Sequence, residues 1–224
     1  MINQYIKSIG IELECGAELD FIHYLKRSYN IKISADASVC VENSDYSNYS
    51  ANNIPKYTHG VWVYNAEIKY HSSDYNRLRQ FVKDAINESY LWQNSSCGNH
   101  IHIKFTRNYY LTHLFTYNNI RRFITMYAQY ATTRADIDKY LSRLGNSYCK
   151  EIKSIEDVLN NCSYDRYYAV NIQCNKKHKR SSFLEFRLFP YVESSDEYLS
   201  NLEFLVSAVT KILQGTPKKH IFKI

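Results

Sequence analysis

Four stretches of this 224-residue chain alternate apolar and polar residues with a period of two, and the polar half of the alternation is chemically narrow. A strand sends successive side chains to opposite faces. In IGIELEC, Gly10, Glu12 and Glu14 then share one face while Ile11 and Leu13 take the other. CGNHIHIKF sets His100, His102 and Lys104 against Ile101, Ile103 and Phe105. AEIKY puts Glu67 and Lys69 together, and SFLEFRLFP sets Glu185 and Arg187 against Leu184, Phe186 and Leu188. The apolar faces prescribe a sheet lying on a core. The polar faces need a separate reason, because a solvated sheet surface more often carries Lys, Thr, Ser and Gln. Two acids on one strand ordinarily face water. Here, carboxylates two positions apart lie about 7 Å from each other and repel by about 2 kcal/mol at an effective dielectric of about 20, and neighbouring strands supply partners. Carboxylates suit Mg²⁺ or Mn²⁺, imidazole adds a nitrogen ligand, and guanidinium grips phosphate in bidentate fashion.

The same alternation predicts strands over Ser8–Cys15, Lys32–Asp36, Val61–Tyr70, His100–Thr106, Tyr167–Cys174 and Phe183–Phe189. Spacings of three and four predict helices. Asp74 caps one that buries Leu78, Phe81, Val82, Ala85 and Ile86, and Thr112 caps another running to about Arg134. A short helix starts at Ser154 and ends near Asn161. Ser194 and Glu197 form a capping box for a last helix reaching Leu213, and a further helix fits Glu18–Tyr29. The strands outnumber the helices and several lie too close together for repeated βαβ crossovers. The expected class is α+β, an antiparallel sheet with helices packed on its apolar face. With 6 glycines, 3 prolines and no visible linker, residues 1–224 read as one domain. The polar stretch 43–60 reads as a flap within it.

Composition narrows the function classes. A hydrophobic share of 45% supports a sizeable core. No run of about 18 apolar residues is present, so no membrane span is expected. The opening MINQYIKSIGIELE lacks the long apolar stretch of a signal peptide. Cysteines at 15, 40, 97, 149, 162 and 174 form no C-x-x-C pair, which argues against structural zinc and for reduced thiols in a cytoplasmic protein. The charge is +6, with basic runs at Lys176, Lys177, Lys179 and Arg180 and at Lys218 and Lys219, which read as solvated loops. The 22 tyrosines are scattered along the chain. They read as compositional bias and surface packing, not as a platform for stacked bases, so nucleic acid is disfavoured as a partner.

The motifs GIELE, DAS, AEI, CGNHIHI, RYYAVN and LEFRLF, in that order over roughly residues 9 to 190, resemble the amidoligase family. That family belongs with the carboxylate–amine ligases of glutamine synthetase-like fold. The resemblance implies a curved antiparallel sheet whose concave face holds ATP and Mg²⁺ or Mn²⁺. It implies one metal on Glu14 and Glu67, and another on Glu12, His100 and Glu185 that bridges the nucleotide phosphates. His102 would approach the phosphates and Arg187 would stabilise the transferring phosphoryl group. Arg166 would hold a substrate carboxylate or acyl phosphate, with Asp36, Ser38 and Asn171 on the substrate side. The chain departs from the family at AEIKYHSS, where Lys69 stands in place of an early serine or threonine. Lys69 is left either to neutralise a carboxylate or to touch phosphate.

The function expected on this resemblance is ATP-dependent joining of a carboxylate to an amine, on a small molecule, peptide or protein, through an acyl phosphate. Two other classes fit parts of the pattern. A metal-dependent phosphoesterase or nuclease would use the same ligands without ATP. A non-catalytic nucleic-acid-binding protein would use the positive charge and the tyrosines, with no need for Glu12 or His100.

Overall fold

A computed structural model describes residues 4–35, 39, 56–58, 61–86, 90–147, 149–157, 167–175 and 180–215. At its centre is β1 (Ile6–Glu18), whose alternation is long enough to seat a partner on each side. On one side β1 pairs with β4 (Val61–Ser72), which also carries β2 (Lys32–Ala35) and β3 (Lys56–Thr58). On the other it pairs with β6 (Gly98–Phe105), followed by β8 (Arg180–Pro190) and β7 (Val170–Asn175). The two-residue β5 (Leu91–Trp92) adds to one end of β1. All eight strands belong to one sheet, and every ladder in it is antiparallel.

Register is what brings the polar residues together. Directly opposed residues in an antiparallel pair share a face. Glu12 lies opposite Lys69 on β4 and opposite His100 on β6. Glu14 faces Glu67, and Gly10 faces His102. His102 in turn lies opposite Glu185, and Asn171 on β7 lies on the far side of Glu185. The other face is Ile9, Ile11 and Leu13 from β1, Ala66 and Ile68 from β4, Ile101 and Ile103 from β6, and Leu184 and Phe186 from β8, all buried in one core.

Six helices are described: α1 (Leu19–Ser28), α2 (Tyr75–Ala85), α3 (Asn108–Leu114), α4 (Tyr117–Ala131), α5 (Ile137–Arg143) and α6 (Ser195–Gln214). Their apolar sides join the sheet's core. Asp74 caps α2 as expected, accepting from the backbone N–H groups of Asn76 and Arg77 at 2.9 and 3.3 Å. Ser194 caps α6 through the Glu197 N–H. The Glu197 carboxylate reaches one residue further back than a standard box, to the Glu193 N–H at 2.9 Å.

The structure corrects the expected helix from Thr112. Thr112 sits inside α3 and donates to the Asn108 carbonyl at 3.3 Å. The true cap of the long helix is Thr116, which accepts from the Asn119 N–H at 3.4 Å. The helical path breaks at Phe115, where ψ turns to 53°. The apolar spacing runs straight across this break because Leu111, Leu114, Phe115 and Ile120 all enter the same core.

The tyrosines are also less superficial than expected. Tyr127, Tyr140 and Tyr198 are among the largest fully buried side chains. Tyr127 donates to the Leu188 carbonyl at 2.7 Å, and Tyr140 bonds to Asn201 and Glu197, each at 2.9 Å. The Tyr127 and Tyr140 hydroxyls thus have partners, whereas the buried Tyr198 hydroxyl makes no hydrogen bond. Cys15, Cys97 and Cys149 are free and buried. No helix among the described residues is long and apolar enough to cross a membrane. Most of the expected flap and the basic runs at 176–179 and 218–219 lie outside the described residues.

Candidate metal and nucleotide site

The face of the sheet opposite the core is itself largely sealed. Glu12, Glu14, His100, Glu185 and Arg187 are all buried, with His100 only 1% exposed. Charged groups rarely bury without partners, so the contacts within this cluster carry its meaning.

His100 lies at the centre. Its Nδ1 is 3.2 Å from Glu12 Oε2 and 3.5 Å from Glu185 Oε1, and its Nε2 is 3.3 Å from Glu14 Oε1. Burial pushes its pKa down to about 4; Glu14 pulls upward and Arg187 pushes downward again. A neutral imidazole has one N–H. Both ring nitrogens face carboxylate oxygens, so one nitrogen lone pair is turned toward oxygen lone pairs. His102 also turns one nitrogen to carboxylates, its Nε2 lying 3.3 Å from Glu12 Oε1 and 3.8 Å from Glu185 Oε1. Neither Nε2 makes a hydrogen bond, although both are buried. Orphaned nitrogens among carboxylates are the donor set that a divalent cation satisfies, so the residues present fit the metal that the resemblance implies.

Two groups of donor atoms are close enough to hold an ion among the described residues: Glu12, Glu67 and His100, and Glu12, His102 and Glu185. This grouping differs from the one expected. Glu14 faces Glu67 in the register, yet its Oε2 accepts the Gly98 N–H at 2.5 Å and its Oε1 points at His100. Glu67 instead meets Lys69 at 2.7 Å and accepts from Ser34 at 3.0 Å. Burial and the nearby Glu12 carboxylate raise the Glu67 pKa, and Lys69 offsets part of the effect. His102 joins the second group in the place expected for His100.

Arg187 reaches Glu185 at 2.7 Å, with its guanidinium 5.7 Å from the Tyr167 ring centre. Asn171 donates to the other Glu185 oxygen at 3.2 Å. Burial works to raise the Glu185 carboxyl, but His102, His100 and Arg187 outweigh it and hold the group well below the usual range. Arg187 is the permanent charge among the three. Toward the open side lies a cavity of about 540 Å³ lined by Glu12, Lys32, Lys69, His71, His102, Lys104 and Phe183 among others. Its volume falls within the usual range for small-ligand sites, and its lysines favour an anion. Phe183 stacks on His102 at 4.8 Å, fixing the imidazole plane at the cavity wall.

Sequence reasoning missed two features. Gly10 allows His102 to lie across β1, since a Cβ there would meet the His102 Cβ at 3.2 Å. Arg143, at the end of the unexpected α5, folds its guanidinium over Gly98, where a Cβ would lie 1.8 Å from its Nη2. It is buried, and its hydrogen bond among the described residues runs from Nε to the Arg187 carbonyl at 3.3 Å. The only sequence signal for this was the glycine in CGNHIHI. Cys97 and Cys149, near this charge, are pushed up to about 11 and about 12, first by burial, and remain protonated thiols at neutral pH. Asp36, Ser38 and Arg166 lie outside the described residues. No family model, curated protein or solved structure matches the chain.

Proposed function

We propose that this chain is an ATP-dependent carboxylate–amine ligase with a glutamine synthetase-like arrangement of its sheet. The observation that carries the reading is the convergence of Glu12, Glu67, His100, His102, Glu185 and Arg187 from four strands onto one buried polar face, with two imidazole nitrogens lacking hydrogen bonds. The order of the six sequence motifs and the lysine-lined cavity beside the cluster support it.

In this reading Glu12, His102, Glu185 and neighbouring donors hold a divalent cation, which when bound would neutralise triphosphate oxygens. Lys32 and Lys104 draw the triphosphate into the cavity. A substrate carboxylate oxygen attacks the γ-phosphorus, the bond to ADP breaks, and ADP leaves with that electron pair. The amine nitrogen then attacks the acyl carbon, phosphate departs, and the nitrogen gives up a proton as the amide forms. Arg187 meets the charge that grows on the moving phosphoryl group, a task of positioning and electrostatic stabilisation. The stacked Phe183 holds His102 in the space that Gly10 leaves open.

A second reading has support in the two donor groups that share Glu12. Paired metals with a common carboxylate also suit hydrolysis of phosphate esters. A phosphate-release screen over pairs of acids and amines with ATP and Mg²⁺ or Mn²⁺ separates the two. The ligase releases phosphate only when both acid and amine are present, and product mass identifies the bond. Phosphate released equally from a simple phosphodiester or monoester without ATP would favour the hydrolase.

A further inference from the structure

The two donor groups on the sheet are not equivalent, and the difference lies in Lys69. Register puts Lys69 directly opposite Glu12, two residues along β4 from Glu67. Its ammonium stands 3.1 Å from Glu12 Oε1 and 2.7 Å from Glu67 Oε2. The third member of that group, His100, already hydrogen-bonds Glu12 Oε2 through Nδ1. Ser34 gives Glu67 Oε2 a further donor. The Glu12 and Glu67 oxygens and His100 Nδ1 thus have partners within the chain, although His100 Nε2 makes no hydrogen bond, and a positive charge already sits between the two carboxylates. In the Glu12, His102 and Glu185 group the two carboxylates have separate cations, Arg187 on Glu185 at 2.7 Å and Lys69 on Glu12 at 3.1 Å. Its His102 Nε2 has no hydrogen bond. The shared Glu12 Oε1 has two lone pairs, so it can accept Lys69 and still offer a pair to an ion.

We propose that Lys69 is a built-in cation that takes the place of a metal between Glu12 and Glu67, so that the chain binds one divalent ion, at Glu12, His102 and Glu185. This rests on the metal-dependent reading above. It accounts for a lysine at a position where two carboxylates would otherwise repel each other in the metal-free protein. It also disfavours the two-metal hydrolase, which needs both groups loaded. Lys69 lines the cavity as well, so its charge is shared between the carboxylates and an incoming anion.

The test is titration of the intact chain with Mn²⁺ in the absence of nucleotide, counting bound ions by calorimetry and by loss of the free-Mn²⁺ electron paramagnetic signal. The wild type is expected to bind one ion, and Lys69→Met, which keeps the length and loses the charge, two. Glu67→Gln supplies a second arm that does not depend on how Lys69→Met folds. It should bind one ion with affinity within about threefold of wild type, because Glu67 is no ligand of the retained metal. Two ions on the wild type overturn the proposal and leave the metal reading standing. No ion on the wild type overturns both. One ion on a folded Lys69→Met, or a loss of tenfold or more in Glu67→Gln, overturns the proposal alone.

Discussion

Burial decides what His100 does at any given pH. Its folded-state pKa of about 4 lies below the ordinary 6.5, so the unfolded chain binds a proton that the folded chain refuses between those values. Stability therefore holds above about 6.5 and is lost as pH falls toward about 4. Glu185, held low, adds a loss in the same direction at more acid pH, whereas Glu67, held high, works the opposite way. The comparison that isolates His100 is urea unfolding in EDTA from pH 7.5 to 4.5 on wild type and His100→Gln. The midpoint should fall with pH in the wild type and fall less in the variant; matching slopes would mean that His100 is not held neutral. Glu185→Gln carries a cost at the same scale. It leaves the buried Arg187 guanidinium without its carboxylate at 2.7 Å, and a loss of about 3 kcal/mol in unfolding free energy is expected. An unchanged urea midpoint would show that the pair contributes nothing to the fold. Because of that cost, lost turnover in Glu185→Gln is interpretable only beside a measured fold content.

At the scale of elements, strand register aligns the site and two glycines let side chains lie across it. The period-two alternation made the polar face legible, since every residue of GIELE, AEI, HIH and LEFR went to the face that its parity required. Parity does not fix which strand neighbours which, or the offset between them. Nor does it fix where a side chain turns: the resemblance implied a metal on Glu14 and Glu67, and the register does oppose the two, yet Glu14 is found accepting the Gly98 N–H. The split between α3 and α4 was hidden because the apolar residues on both sides of Phe115 serve one core. Strands β3 and β5 were too short to show any period. The helix α5 carries Arg143 into a gap that only a glycine leaves open. Gly98→Ala should expel that guanidinium and shift the Gly98 N–H that Glu14 holds. Its effect should appear as a lowered thermal midpoint and weaker Mn²⁺ binding together. A variant with both unchanged would mean that Arg143 has no fixed place beside the site. At the other end of the sheet, Asp74→Ala removes two backbone contacts at the start of α2. It should cost about 1 kcal/mol with Mn²⁺ binding intact; a loss of metal would contradict the separation of α2 from the site.

Taken whole, the molecule is a sheet with two differently built faces. One packs the six described helices into a single apolar core, and the other buries a charged cluster beside a cavity rimmed by lysines. A face with three buried carboxylates and the half-buried Glu67 would repel a triphosphate unless cations intervene, and Lys69 offsets only part of that charge. The claim that ties the two faces to one activity is that nucleotide binds here through a divalent ion. The most direct measurement is calorimetric titration of ATP into the intact chain, once with Mg²⁺ in excess and once in EDTA. Saturable binding with Mg²⁺ that weakens at least tenfold in EDTA, and that His102→Ala weakens in the same way, is the result expected. Equal ATP affinity in both conditions, or no binding in either, would contradict the account.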